Sequence, residues 1–221
     1  MVYLKKSMDM GNLFVINMLS FHVEIIVSGE NTMSKIPIDF VDLSTLPNVR
    51  LDIRYAEDTN FMGRKVVGYD APLCWMHKDG AHKLLLLARK IESEGLGLHI
   101  WDAYRPRRST TDMIEWAEST GQEWLIEQGY LVKESRHNHG GAIDLSFYFL
   151  ETGKLMDMGT DWDFFGVESH AFEVSGPALD NRLLLRSSMQ ESGFVPYDVE
   201  WWHFELPNAT ELPVVDVPYT L

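Results

Sequence analysis

Two short stretches hold the residues best able to do chemistry. Residues 134–149, "ESRHNHGGAIDLSFYF", set two histidines, two glycines and an aspartate at the head of an apolar run, and residues 200–205, "EWWHFE", set Glu200 and His203 among bulky aromatics. From Ala142 the first stretch alternates, with Ile143, Leu145, Phe147 and Phe149 pointing one way and Ala142, Asp144, Ser146 and Tyr148 the other. Asp144 therefore projects from the more polar face of a strand, where a carboxylate flanked by apolar bulk needs a cation beside it. Gly140 and Gly141 permit backbone angles that would fold the loop carrying His137 back toward Asp144. A histidine and a carboxylate meeting there would make two of the three protein ligands of a catalytic zinc site. His203 suits the third position, with Glu200 as a general base for the water that zinc would activate. Taken singly, each histidine reads more readily as a hydrogen-bonded core residue, and only a third ligand brought in from elsewhere would complete a site.

Other chemistries are pruned by what the chain lacks. It contains no G-x-x-x-x-G-K-[ST], no G-x-S-x-G and no H-E-x-x-H. The sole cysteine, Cys74, reads as a buried structural thiol and cannot form an internal disulfide, which fits a reducing cytoplasm. A formal net charge of −14 leaves no basic surface of the kind a phosphate backbone requires, so nucleic acid is not an expected partner. No later stretch approaches the ~20 apolar residues of a membrane span. Residues 1–33 match a signal peptide poorly, because Asp9 and Glu24 bracket the apolar run and His22 interrupts it. They are expected to be an extra strand or an upstream extension of a domain that occupies residues 34–221.

The elements that must position these residues follow from periodicity. Lys78 to Glu94 reads as a core helix, with Ala81, Leu84, Leu87, Ala88 and Ile91 at helical spacing and Gly95 at its stop. Leu96 to Tyr104 reads as a strand ending at Arg105-Pro106. Thr111 to Gln128 reads as a second helix, burying Met113, Trp116, Leu125 and Ile126. Ala142 to Leu150 is a strand, Ser175 to Ser192 a helix with Pro177 in its first turn, and "VEWWHFEL" a final strand. The mixture predicts a single α+β domain around a central, largely antiparallel sheet flanked by helices.

The motifs combine into a longer pattern. S-x-H-x-x-G-x-A-x-D is met by Ser135, His137, Gly140, Ala142 and Asp144, and E-W-W-H by Glu200 to His203. This resembles the D-alanyl-D-alanine dipeptidases of the VanX type. The resemblance continues in consistent order through "RYAEDTNFMG" (residues 54–63), "WDAYRP" (101–106), "MGTDWDFFG" (158–166) and "NRLLLRSSMQESGF" (181–194). It implies the zinc D,D-peptidase fold shared with the Hedgehog signalling domain, and one zinc per chain held by His137, Asp144 and His203. It also implies that Glu200 takes a proton from water and passes it to the departing amine, and that Arg105, read alone as a surface arginine at a strand end, faces the scissile carbonyl. Tyr55, Ser135 and Asp163 would surround the free ammonium of a small D,D-dipeptide, His139 and His170 staying off the metal. The implied activity is hydrolysis of D-alanyl-D-alanine to two D-alanines, in glycopeptide resistance or in D-alanine recycling. A D,D-carboxypeptidase, a peptidoglycan endopeptidase or a zinc-bearing binding module without catalysis are the alternatives on the same fold, and self-association is left open.

Overall fold

Seven short strands and four helices make up the computed structural model, which describes residues 36–221; the expectations for residues 1–33 lie outside them. The strands are β1 (Phe40–Asp42), β2 (Val49–Leu51), β3 (Trp75–His77), β4 (Leu96–Asp102), β5 (Ala142–Phe149), β6 (Val195–Pro196) and β7 (His203–Glu205). The helices are α1 (Lys78–Glu92), α2 (Arg107–Thr120), α3 (Trp124–Glu127) and α4 (Pro177–Glu191). Five strands form the main sheet in the order β2-β4-β5-β7-β6, with β2 parallel to β4 and the remaining pairs antiparallel; β1 and β3 form a separate antiparallel pair. The α+β architecture with a largely antiparallel sheet is therefore as the sequence reads. Among the described residues, no helix is long and apolar enough to cross a membrane.

Helix α1 lies against β4 and buries Ala81, Leu84, Leu87, Ala88 and Ile91, the five positions its periodicity selects. Each leucine or isoleucine so buried contributes roughly 1.5–3 kcal/mol. Strands β4 and β5 run through the centre and are covered on both faces, so Ala142, Asp144 and Ser146 are as buried as Ile143, Leu145 and Phe147. The expected polar face of β5 is thus an interior face. Asp144 is 3% exposed, and the need for a cationic partner is greater than alternation alone implies.

Three expected elements differ. The helix expected over Thr111–Gln128 starts earlier, directly after Pro106, and breaks at Gly121, whose left-handed φ of 73° ends α2 before the single turn of α3. The strand expected to reach Tyr104 leaves its ladder at Asp102, because the Tyr104 amide donates instead to Trp75 O (2.7 Å) and the Arg105 amide to His137 O (3.0 Å). The strand expected over "VEWWHFEL" begins only at His203, since the Trp201 amide donates to Ser169 O (3.0 Å) and the His203 amide turns back to Glu200 O (3.2 Å).

Candidate metal centre and active site

Sheet register assembles the first part of the site. A register shift at Trp101 brings Asp102 opposite Asp144, and Asp144 stands opposite His203 on β7. Three polar side chains thus form a row across three adjacent strands. The turn at Glu200 is equally necessary: residues three apart in a strand point to opposite faces, so Glu200 and His203 meet only because the chain turns between them. Glu200 Oε2 lies 3.8 Å from His203 Nδ1.

His137 arrives on a one-turn 3-10 helix, Arg136–His139. Ser135 caps it, its Oγ accepting from the His137 amide (3.3 Å), and Asn138 reaches back to the Ser135 amide. Gly140 ends it with φ 67°, and Phe40's ring occupies the space a side chain there would need. The glycines therefore do fold the His137 turn back onto β5.

The donor atoms converge. His137 Nε2 lies 3.3 Å from Asp144 Oδ1, His203 Nδ1 lies 3.0 Å from the same oxygen, and one ligand atom from each of the three residues falls within 4.8 Å of the others. The opposite ring nitrogens are engaged: His137 Nδ1 with Ala103 O (2.6 Å) and His203 Nε2 with Glu205 Oε1 (3.1 Å). Hydrogen bonds of this kind fix the tautomer that leaves Nε2 of His137 and Nδ1 of His203 free to ligate. The charges of the corner call for a cation. Burial opposes ionisation of His203, yet the Asp144 and Glu205 carboxylates push its pKa up to about 10. Burial likewise opposes the charge of Asp144, yet the His137 and His203 rings hold its carboxyl far below the usual range. Two imidazoles and one carboxylate, all buried, form a donor set that fits a transition metal such as zinc.

Around this corner lies a cavity of about 360 Å³, lined among others by Tyr55, Arg105, Ser135, Arg136, Asp163 and Glu200. Burial pushes the Glu200 carboxyl up to about 8. Arg105 is fixed by Asp102, whose Oδ2 accepts from Nε (2.9 Å) and lies 2.8 Å from Nη2 in an ion pair, while Nη1 has no hydrogen-bond partner among the described residues. Asp102 itself is 1% exposed and accepts from the Ala103 amide (3.0 Å) and from the Tyr69 hydroxyl. On the same cavity wall Asp163, with an unusual φ of 58°, accepts from the Tyr55 hydroxyl (2.9 Å). Burial, reinforced by the charge of Asp144, raises its carboxyl well above the ordinary range.

All eight residues singled out in the sequence line this one cavity. His139 points elsewhere, bonded through Nδ1 to Leu212 O, and His170 bonds the hydroxyl of Tyr130 (3.2 Å), a residue of the cavity wall. Cys74 is buried in the core. Sequence reasoning missed Asp102, Glu205 and Trp162, whose Nε1 approaches Asp144 Oδ2 at 3.4 Å. Two of these carried a signal: Asp102 ends the strand before Arg105, and Glu205 shares a strand face with His203.

Comparison with known proteins gives the family of the chain. A family model described as D-ala-D-ala dipeptidase, of the peptidase M15 family, matches residues 37–220. The D-alanyl-D-alanine dipeptidase of Enterococcus faecium is 37% identical over 173 residues, covering 72% of this chain and 86% of that one. Those of Enterococcus faecalis and Escherichia coli are each 34% identical, covering 79% and 80% of this chain and 90% and 89% of theirs. Among solved structures, that of the LdcB LD-carboxypeptidase aligns over 79% of this chain and 72% of its own, at 18% identity and a TM-score of 0.48. The family match and these relatives define an enzyme of the metallopeptidase class. Within that class, the chain belongs to the D-ala-D-ala dipeptidase family of M15 peptidases.

Proposed function

We propose that this enzyme is a zinc-dependent dipeptidase that hydrolyses D-alanyl-D-alanine to two molecules of D-alanine. The observation that carries the reading is the convergence, in one cavity, of a His-Asp-His donor set, a buried glutamate, an anchored arginine and a buried aspartate. His137, Asp144 and His203 would hold the zinc, which would polarise the scissile carbonyl and make water a better nucleophile near neutral pH. Glu200 accepts the proton of the attacking water and returns it to the nitrogen of the departing D-alanine, a role suited to a carboxyl whose pKa burial brings near the working pH. Arg105, held by Asp102 on two of its nitrogens, directs Nη1 toward the carbonyl oxygen on which negative charge develops. Asp163 pairs with the substrate's ammonium, with Tyr55 fixing the carboxylate and Ser135 completing that wall. A peptide nitrogen carries no charge to match Asp163, so the site favours a free dipeptide over a longer chain.

Assay of D-alanine release from D-Ala-D-Ala, L-Ala-L-Ala and a muramyl pentapeptide, with and without chelator, tests the reading. It predicts chelator-sensitive hydrolysis of D-Ala-D-Ala alone, restored by added zinc. Turnover of the pentapeptide only would move the enzyme to a D,D-carboxypeptidase, and bound zinc with no turnover would leave a binding module.

A further inference from the structure

A dipeptide brings two charges into the cavity, and the proposed function accounts for one. Four carboxyl groups, Asp144, Asp163, Glu200 and Glu205, line the cavity among the described residues, burial raising Glu200 and Asp163 toward the neutral form, against two arginines and no lysine. A free substrate carboxylate leaving water for this cavity needs a cation to meet it. Arg105 is committed: two of its nitrogens lie against Asp102, and the proposed function assigns the remaining one to the carbonyl. The other arginine is Arg136, the residue between Ser135 and His137.

Its guanidinium is loosely held. Nε lies 3.6 Å from Glu205 Oε2, beyond hydrogen-bond range, and Nη1 reaches the carbonyl of Glu134 only at 3.4 Å. The side chain is 41% exposed, so its donors are open to a ligand. The backbone beneath it is the opposite. The Arg136–His139 turn is capped by Ser135, closed by Gly140, and joined to the Arg105 loop through the bond from the Arg105 amide to His137 O. A half-exposed, weakly bonded cation on a capped turn beside the donor set is placed to turn onto an anion while the reacting groups stay in place. The Glu205 carboxylate, which contacts both Arg136 and His203 Nε2, keeps the guanidinium at the cavity when no anion is present.

We infer that Arg136 is the anchor for the free carboxylate of the substrate, so that the enzyme selects dipeptides by both termini. This inference rests on the dipeptidase reading. An arginine suits it because the planar fork meets a carboxylate through two parallel hydrogen bonds.

The test is steady-state kinetics of the zinc-loaded full chain and its Arg136→Gln and Arg136→Lys variants on D-Ala-D-Ala and on its C-terminal amide. Arg136→Gln should lower kcat/KM for the free dipeptide roughly 10- to 100-fold, mainly through KM. Its rate on the amide should stay within about twofold of the unaltered enzyme, and Arg136→Lys should restore part of the loss on the free dipeptide. An acid-to-amide ratio unchanged by Arg136→Gln would overturn the inference, as would a fall explained by loss of bound zinc. Calorimetric titration of both ligands into Glu200→Ala, with and without Arg136→Gln, reads the carboxylate preference without turnover. A chain that fails to cleave D-Ala-D-Ala but still loses its preference for the free acid with Arg136→Gln would sink the dipeptidase reading and keep Arg136 as the anchor.

Discussion

The donor set and the Asp163 wall of the cavity are built by different means. At the donor set, cross-strand register does the positioning: Asp102, Asp144 and His203 stand in a row because β4, β5 and β7 are paired in one register. At the Asp163 wall there is no ladder. The segment from Met158 to His170 is irregular, and it is held by Arg182 of α4. Arg182 is 2% exposed; its Nε donates to Met158 O (2.7 Å), Nη1 to His170 O (2.7 Å), and Nη2 to Glu168 O (2.9 Å) and Thr160 Oγ1 (3.3 Å). The contrast extends to the two buried arginines. Arg105 is paired with Asp102 and leaves Nη1 without a hydrogen bond, whereas Arg182 has carbonyl and hydroxyl partners and braces a loop. Sheet pairing places a side chain without a dedicated brace; an irregular loop needs one buried donor cluster to hold several carbonyls at once.

If the donor-set region carries the chemistry, removing the base should have the largest effect. Glu200→Ala should reduce kcat about 10²- to 10⁴-fold with metal content unchanged, read by steady-state kinetics alongside metal analysis. Near-normal turnover would refute its role. Next in size is Asp102→Asn, which leaves the buried Arg105 charge uncompensated. We expect about 3–5 kcal/mol of lost stability in denaturant titration, and a fall in kcat larger than any rise in KM. Arg182→Met should cost about 2–4 kcal/mol by orphaning buried carbonyls. Its kinetic signature should be inverted, with KM rising more than kcat falls, because the braced segment carries Asp163 and not the base. A kcat loss equal to that of Asp102→Asn would erase the distinction between the two regions.

The same contrast explains what could be read from the sequence. The alternation of β5, the paired glycines after His137 and the helical spacing of α1 are local patterns, and local patterns survive in a linear chain. The residues therefore suggested the donor set, each ligand weakly when taken singly, and the wider motif pattern supplied the full set and the substrate wall of Tyr55, Ser135 and Asp163 by resemblance. Periodicity failed wherever a backbone group found its partner outside a ladder. The amide of Trp201 bonds Ser169, so "VEWW" is a turn; Gly121 takes a left-handed conformation, so one expected helix is two. The brace from Arg182 left no periodic trace, because its partners are main-chain carbonyls that any residue supplies. Asp102 was visible but unassigned, since its pairing with Arg105 depends on a register shift at Trp101 that spacing does not announce.

The central claim is that the two regions act together, one cleaving and the other requiring a free ammonium. Its most direct test compares kcat/KM for D-Ala-D-Ala with that for N-acetyl-D-Ala-D-Ala on the same zinc-loaded enzyme. The account predicts a fall of about 100-fold or more on acetylation, since Asp163 loses its charged partner and stays buried. Equal hydrolysis of the two substrates would contradict it.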